Sequence, residues 1–120
     1  MADAALFIGF GQSVRAREPQ ALDLFKEVLG LYSELRDQGG IESFEPVLLE
    51  PHGGDLQGFI LIRGTREQLQ ELRASEDFQR TVARAGLVLD GFGVVDGYVG
   101  EGLEARMSVY EQQVNEQLSA

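Results

Sequence analysis

Hydrophobic positions recur along this chain at two alternating periods. From Ala4 to Val14, Leu6, Ile8 and Phe10 alternate with Ala5, Phe7, Gly9 and Gly11, which predicts a first β-strand. Gly9 and Gly11 fall on one face and leave room for close approach above the backbone. From Glu18 to about Gln38 the period lengthens. Ala21, Phe25, Val28, Tyr32 and Leu35 form the apolar stripe of a helix lying on a sheet, with Leu22 and Leu29 beside them. Pro19 suits the first turn, where a missing N–H goes unnoticed, and Gly39-Gly40 ends the helix. Ile41 to Thr65 reads as two strands joined by Pro51-His52-Gly53-Gly54-Asp55, a turn short enough for an antiparallel hairpin.

Both hairpin strands are apolar on both faces. Ile41, Val47 and Leu49 oppose Phe44 and Leu48, and Phe59 and Leu61 oppose Ile60 and Ile62. Thr65 and Gln68 then form a capping box for a helix carrying Leu69 and Leu72. Ser75 offers a second cap before Phe78, Val82 and Ala85, so a bend or break is expected near Ala74–Ser75 and a stop at Gly86. Leu87 to Val99 reads as the last strand, bent at Gly91, Gly93 and Gly97. Leu103, Met107, Tyr110, Val114 and Leu118 mark a C-terminal helix whose stripe must dock somewhere.

The order β-α-β-β-α-β plus one helix is that of an α+β, ferredoxin-like unit: a four-stranded antiparallel sheet with two helices on one face. One domain is expected, with residues 1–101 as the ferredoxin-like part and 102–120 as its C-terminal helix. Two helices cover only one sheet face. Phe44 and Leu48, with one of the pairs Phe59/Leu61 or Ile60/Ile62, are expected on the uncovered face, and a symmetric homodimer through that face is the commonest remedy. The segments FEPVLLEPHGGDLQGFILIRGT, SEDFQRTVARAG and LVLDGFGVVDGYVG resemble the dimeric α+β barrel superfamily over residues 4–100, in particular its small bacterial members of unassigned function. The resemblance implies two sheets packed face to face across a two-fold axis. The superfamily includes cofactor-free monooxygenases, haem-degrading enzymes, lactone isomerases and ligand-sensing domains, so it does not name an activity.

Charge removes several classes. The net charge is −10, with nine Arg and one Lys scattered among twenty acids, which disfavours nucleic acid and anionic membrane surfaces. There is no cysteine, hence no disulfide and no thiolate chemistry. No apolar run reaches the roughly 18 residues of a membrane span, and a cytoplasmic location is expected. GFGQSV and GFGVVDG lack the third glycine of a dinucleotide loop.

His52 is the only histidine, so tight metal binding is not expected, and neither is any cofactor. Glu45, between Phe44 and Pro46, would work as a general base if its face were buried. Asp90 and Arg63 are candidates to pair across the sheet or to serve a bound anion, and Tyr32 and Tyr98 are possible polar contacts. A ligand pocket is expected around Phe10, Gln12, Phe44, Phe59, Arg63 and Phe92. The reading is a structural or small-ligand-binding module taking a small hydrophobic molecule. The alternative is a cofactor-free monooxygenase or isomerase acting on a small hydrophobic or aromatic substrate, with Glu45 or His52 moving protons.

Overall fold

A computed structural model of the chain describes residues 2–118. Eight elements follow in order: β1 (Ala4–Phe10), α1 (Glu18–Asp37), β2 (Ser43–Leu48), β3 (Gly58–Gly64), α2 (Arg66–Ala74), α3 (Glu76–Val88), β4 (Gly93–Tyr98) and α4 (Gly100–Leu118). The four strands form one antiparallel sheet in the order β2-β3-β1-β4. This is the ferredoxin-like fold.

Strand alternation divides the residues between two faces. Leu6, Ile8, Ile60 and Ile62 turn to one side, where Leu24, Val28 and Tyr32 of α1, Leu69 and Leu72 of α2, and Phe78 and Ala85 of α3 close over them. Phe7, Val47, Phe59, Leu61 and Val95 turn to the other, which no helix among the described residues covers. The register sets Phe7 beside both Leu61 and Val95, and Val47 beside Phe59. Val95 remains 59% exposed. Phe44 and Leu48 were expected on this bare face. Their partners Ile62 and Gly58 place them on the helical side instead, because Val47 and Glu45 take the outward positions of β2.

Gly9 and Gly11 do admit close neighbours. A Cβ on Gly9 would stand 2.6 Å from the Phe7 ring, which lies across the glycine and stacks on Phe59 at 5.1 Å. A Cβ on Gly11 would stand 2.6 Å from the Asp90 carbonyl, to which the Gly11 N–H donates at 2.7 Å. β2 and β4 are the sheet edges, and Pro46 sits within β2.

The second helix breaks where expected. The Thr65 hydroxyl accepts from the Gln68 N–H at 3.1 Å while the Gln68 side chain accepts from the Thr65 N–H at 2.8 Å. Ser75 serves both sides of the break: its hydroxyl accepts from the Phe78 N–H and donates to the Leu72 carbonyl at 2.7 Å. The stop expected at Gly86 does not occur. α3 continues to Val88, so Leu87 and Val88 are helical and the last strand shortens to Gly93–Tyr98. A helical glycine costs only about 1 kcal/mol, and the longer helix sets the Val88 carbonyl to accept from Val14 at 2.8 Å.

α4 begins beside β4, with the Arg106 guanidinium stacked on the Tyr98 ring and donating to its hydroxyl. Thereafter it leaves the body, and none of its residues is buried. The radius of gyration, 16.8 Å, exceeds the roughly 13.6 Å of a compact chain this long. The stripe of α4 is therefore not docked on its own subunit: Met107 and Tyr110 are 58% and 67% exposed. Among the described residues, no helix is long and apolar enough to cross a membrane.

Candidate functional site

A mainly apolar opening into the core lies between the sheet and the pair α1 and α3. It is a groove open to solvent on one side, of about 520 Å³, within the range of small-molecule sites. Its floor is Ile8, Phe10 and Ile60 of the sheet. One wall is α1 from Glu18 to Tyr32, and the other is α3 from Phe78 to Ala85. The space exists because the facing helical positions include small side chains, Ala21 on α1 and Ala85 on α3, where Leu or Phe would fill it.

Polar groups are few. Gln12, Ser13 and Glu18 stand together in sequence where β1 passes into α1, and Gln57 approaches from the hairpin turn. The Gln57 side chain donates to the Gly54 carbonyl at 3.1 Å, and the Thr81 hydroxyl is spent on the Asp77 carbonyl at 2.9 Å. Glu18 is the one charged residue on the wall. Burial pushes the Tyr32 hydroxyl well above the usual tyrosine range, so it stays protonated.

The residues singled out in the sequence separate into three places. Phe10, Gln12 and Phe92 line the cavity, as does Tyr32. Phe44 stands behind the wall, with its ring edge-on to Tyr32 at 6.0 Å and Arg36 stacked over it. Phe59, Arg63 and Glu45 lie on the bare sheet face, where Arg63 pairs with Glu45 at 3.4 Å. Of the two roles open to Arg63 and Asp90, the cross-sheet pair does not form, because Asp90 lies in the turn before β4 and bonds through its backbone to Gly11 and Gln12.

His52 is exposed in the hairpin turn. Its Nδ1 accepts from the Gly54 N–H at 3.2 Å, so its Nε2 carries the proton donated to the Leu56 carbonyl at 2.7 Å. Both ring nitrogens are thus engaged in holding the turn. Among the described residues, no three His, Asp or Glu side chains cluster as metal ligands do. Ser13, Gln57 and Thr81 were not foreseen around the cavity. The one readable signal was a polar Thr81 directly before Val82 on an apolar helical stripe.

No family model matches the chain, and no curated protein matches its sequence. Solved structures do match in fold. A dimeric protein of unknown function and ferredoxin-like fold from Bacteroides fragilis is 11% identical, with a TM-score of 0.57 over 80% of this chain and 96% of its own. An ethyl tert-butyl ether degradation (EthD) family protein from Bacillus halodurans is 11% identical, with a TM-score of 0.61 over 82% and 99%. A candidate antibiotic biosynthesis monooxygenase from Caulobacter crescentus is 14% identical, with a TM-score of 0.54 over 82% and 89%.

Proposed function

We propose that the chain is a homodimeric module that binds small apolar molecules between its sheet and helices α1 and α3. The observation that carries this is the cavity of about 520 Å³ with an apolar floor and a few polar groups along its walls. A concave groove of this size, mainly apolar with a few polar groups, has the make-up of a small-molecule site. Similarity in fold to proteins described as dimeric supports the homodimer, as do the bare face of Phe7, Val47, Phe59, Leu61 and Val95 and the undocked stripe of α4.

The experiment is equilibrium binding of an apolar fluorescent probe to the parent protein and to Ala21→Trp. Ala21 lies on the cavity wall and is only partly buried, so the larger ring is expected to fill the cavity rather than break the core. Binding to the parent and its loss in Ala21→Trp would support the site; equal binding by both would reject it.

The similarity to a candidate monooxygenase keeps a second reading, a cofactor-free monooxygenase or isomerase acting on the bound molecule. Such chemistry needs a proton acceptor at the substrate. Glu45 and His52 do not line the cavity, and Glu18 is the carboxylate that does. Turnover of a bound aromatic substrate that is lost in Glu18→Gln but kept in Glu45→Gln and His52→Ala would favour the enzyme.

A further inference from the structure

Resting on the groove as a binding site, the placing of its polar residues narrows what it takes. Gln12, Ser13 and Glu18 line one end, where β1 passes into α1. The rest is lined chiefly by apolar and aromatic side chains. Among them are Phe92 and the pair Phe10 and Phe25, whose rings meet edge to face at 5.9 Å. An occupant therefore meets polar groups at one end and hydrocarbon along its body.

Charge narrows the class further. Among the lining residues there is no Lys, Arg or His, and Glu18 is the only charged group. Arg15 and Arg17 precede it in sequence without lining the groove, while Asp55 and Asp90 bring their carbonyls against Gly11 at the same end. Acids outnumber bases there, and the whole chain carries a net charge of −10. A carboxylate or phosphate would enter against this field. Gln12, Ser13 and Glu18 can all accept hydrogen bonds, and one bond from the Ala16 N–H at 3.3 Å does not saturate the Glu18 carboxylate. A hydroxyl would bring a single donor and no charge. An alkylammonium brings three N–H donors, no acceptor and the opposite charge. We propose that the groove takes primary amines with a large apolar or aromatic body, the ammonium held by Glu18 beside Gln12 and Ser13 and the body lying against Phe10, Phe25 and Phe92.

The test uses three probes that share one ring system: naphthylethylamine, naphthylethanol and naphthylacetate. Each is measured at neutral pH by displacement of the apolar fluorescent probe. The parent protein is expected to bind the amine most tightly and the acetate most weakly. Glu18→Gln is expected to weaken the amine about fivefold, the scale of one partly exposed charge pair, and to leave the alcohol unchanged. Glu104→Gln on α4 removes the same unit of charge away from the groove and should leave all three affinities unchanged. Both glutamates are exposed, so neither substitution threatens the fold.

Equal losses of amine affinity in Glu18→Gln and Glu104→Gln would trace the preference to overall charge and overturn the role of Glu18. An amine no tighter than the alcohol on the parent, or an amine affinity unchanged in Glu18→Gln, overturns the inference. In either case displacement by the alcohol leaves the groove standing as a binding site. If the fluorescent probe does not bind the parent at all, the groove reading fails and this inference with it.

Discussion

A charge placed at the centre of the bare sheet face should abolish self-association. Leu61 is the residue to change, because its cross-strand neighbours are Phe7 on one side and Glu45 on the other. Four strands spaced about 4.8 Å apart, each rising about 3.3 Å per residue, present a flat area of roughly 400 Å². Covering that area on two copies gives at most about 20 kcal/mol at 25 cal/mol per Å², against roughly 4–15 kcal/mol lost to immobilisation. The surplus is at most about 5–16 kcal/mol. The area is also about half the ~800 Å² per partner of a standard interface, so the stripe of α4 is needed to complete it.

Leu61→Glu removes an apolar anchor and puts a second carboxylate beside Glu45, and two-fold symmetry imposes both effects twice. Stripping each carboxylate of water costs several kcal/mol, so dissociation should rise by at least about a thousandfold. In the monomer Leu61 is only half-buried, and the fold should survive. Sedimentation velocity at micromolar concentration reads the outcome. A parent that sediments as a monomer, or a Leu61→Glu protein with the parent's dimeric mass, would refute the reasoning.

Three further substitutions probe the frame. In Gly11→Ala the new methyl would meet the Asp90 carbonyl at 2.6 Å and the Asp55 carbonyl at 3.1 Å. Both are backbone and cannot swing aside, so thermal unfolding should show a loss of about 2–3 kcal/mol. Ser75→Ala removes the cap of α3 and the bond to Leu72; a loss of about 1–2 kcal/mol is expected in urea unfolding, with Ser75→Asp recovering part of it. Glu27 pairs with Arg84 at 2.7 Å, which holds its pKa below the ordinary 4.5. A depressed folded pKa means stability present above that value and lost as pH falls through the folded one. The melting difference between the parent and Glu27→Gln should therefore be small at neutral pH, vanish in acid, and shrink in salt.

Much of the frame could be read directly. The period-two and period-four runs located every strand and helix, and the Thr65–Gln68 box and Ser75 marked the helix break at the right residue. Leu87 and Val88 defeated the reading, because β-branched and aliphatic residues after a glycine fit either a helix end or a strand. Contact between the Val88 carbonyl and Val14 decided between them, and no local pattern contains it. Face assignment failed at Phe44 and Leu48 for a related reason. A strand apolar on both sides leaves its own register open, and the pairing with Ile62 and Gly58 fixes it. The cavity was the least legible part. It is built from what is small, Ala21 and Ala85, on helices distant in sequence, so only the fold shows the space between them. Phe10, Gln12 and Phe92 could be placed near it from strand position alone, whereas Phe59, Arg63 and Glu45 depended on the face.

The outer strand β2 has a bearing on how copies of this chain meet. An exposed strand edge is a template onto which another extended segment can add, the route to open-ended fibres. Pro46, near the middle of β2, offers no N–H to such an addition and interrupts the row of donors. Growth sideways from that edge is disfavoured, while the apolar face next to it stays available. Contact through a face closes on itself by a two-fold rotation, whereas contact through an edge does not. At the β2 edge, one proline thus disfavours open-ended addition and leaves the face as the contact that can close.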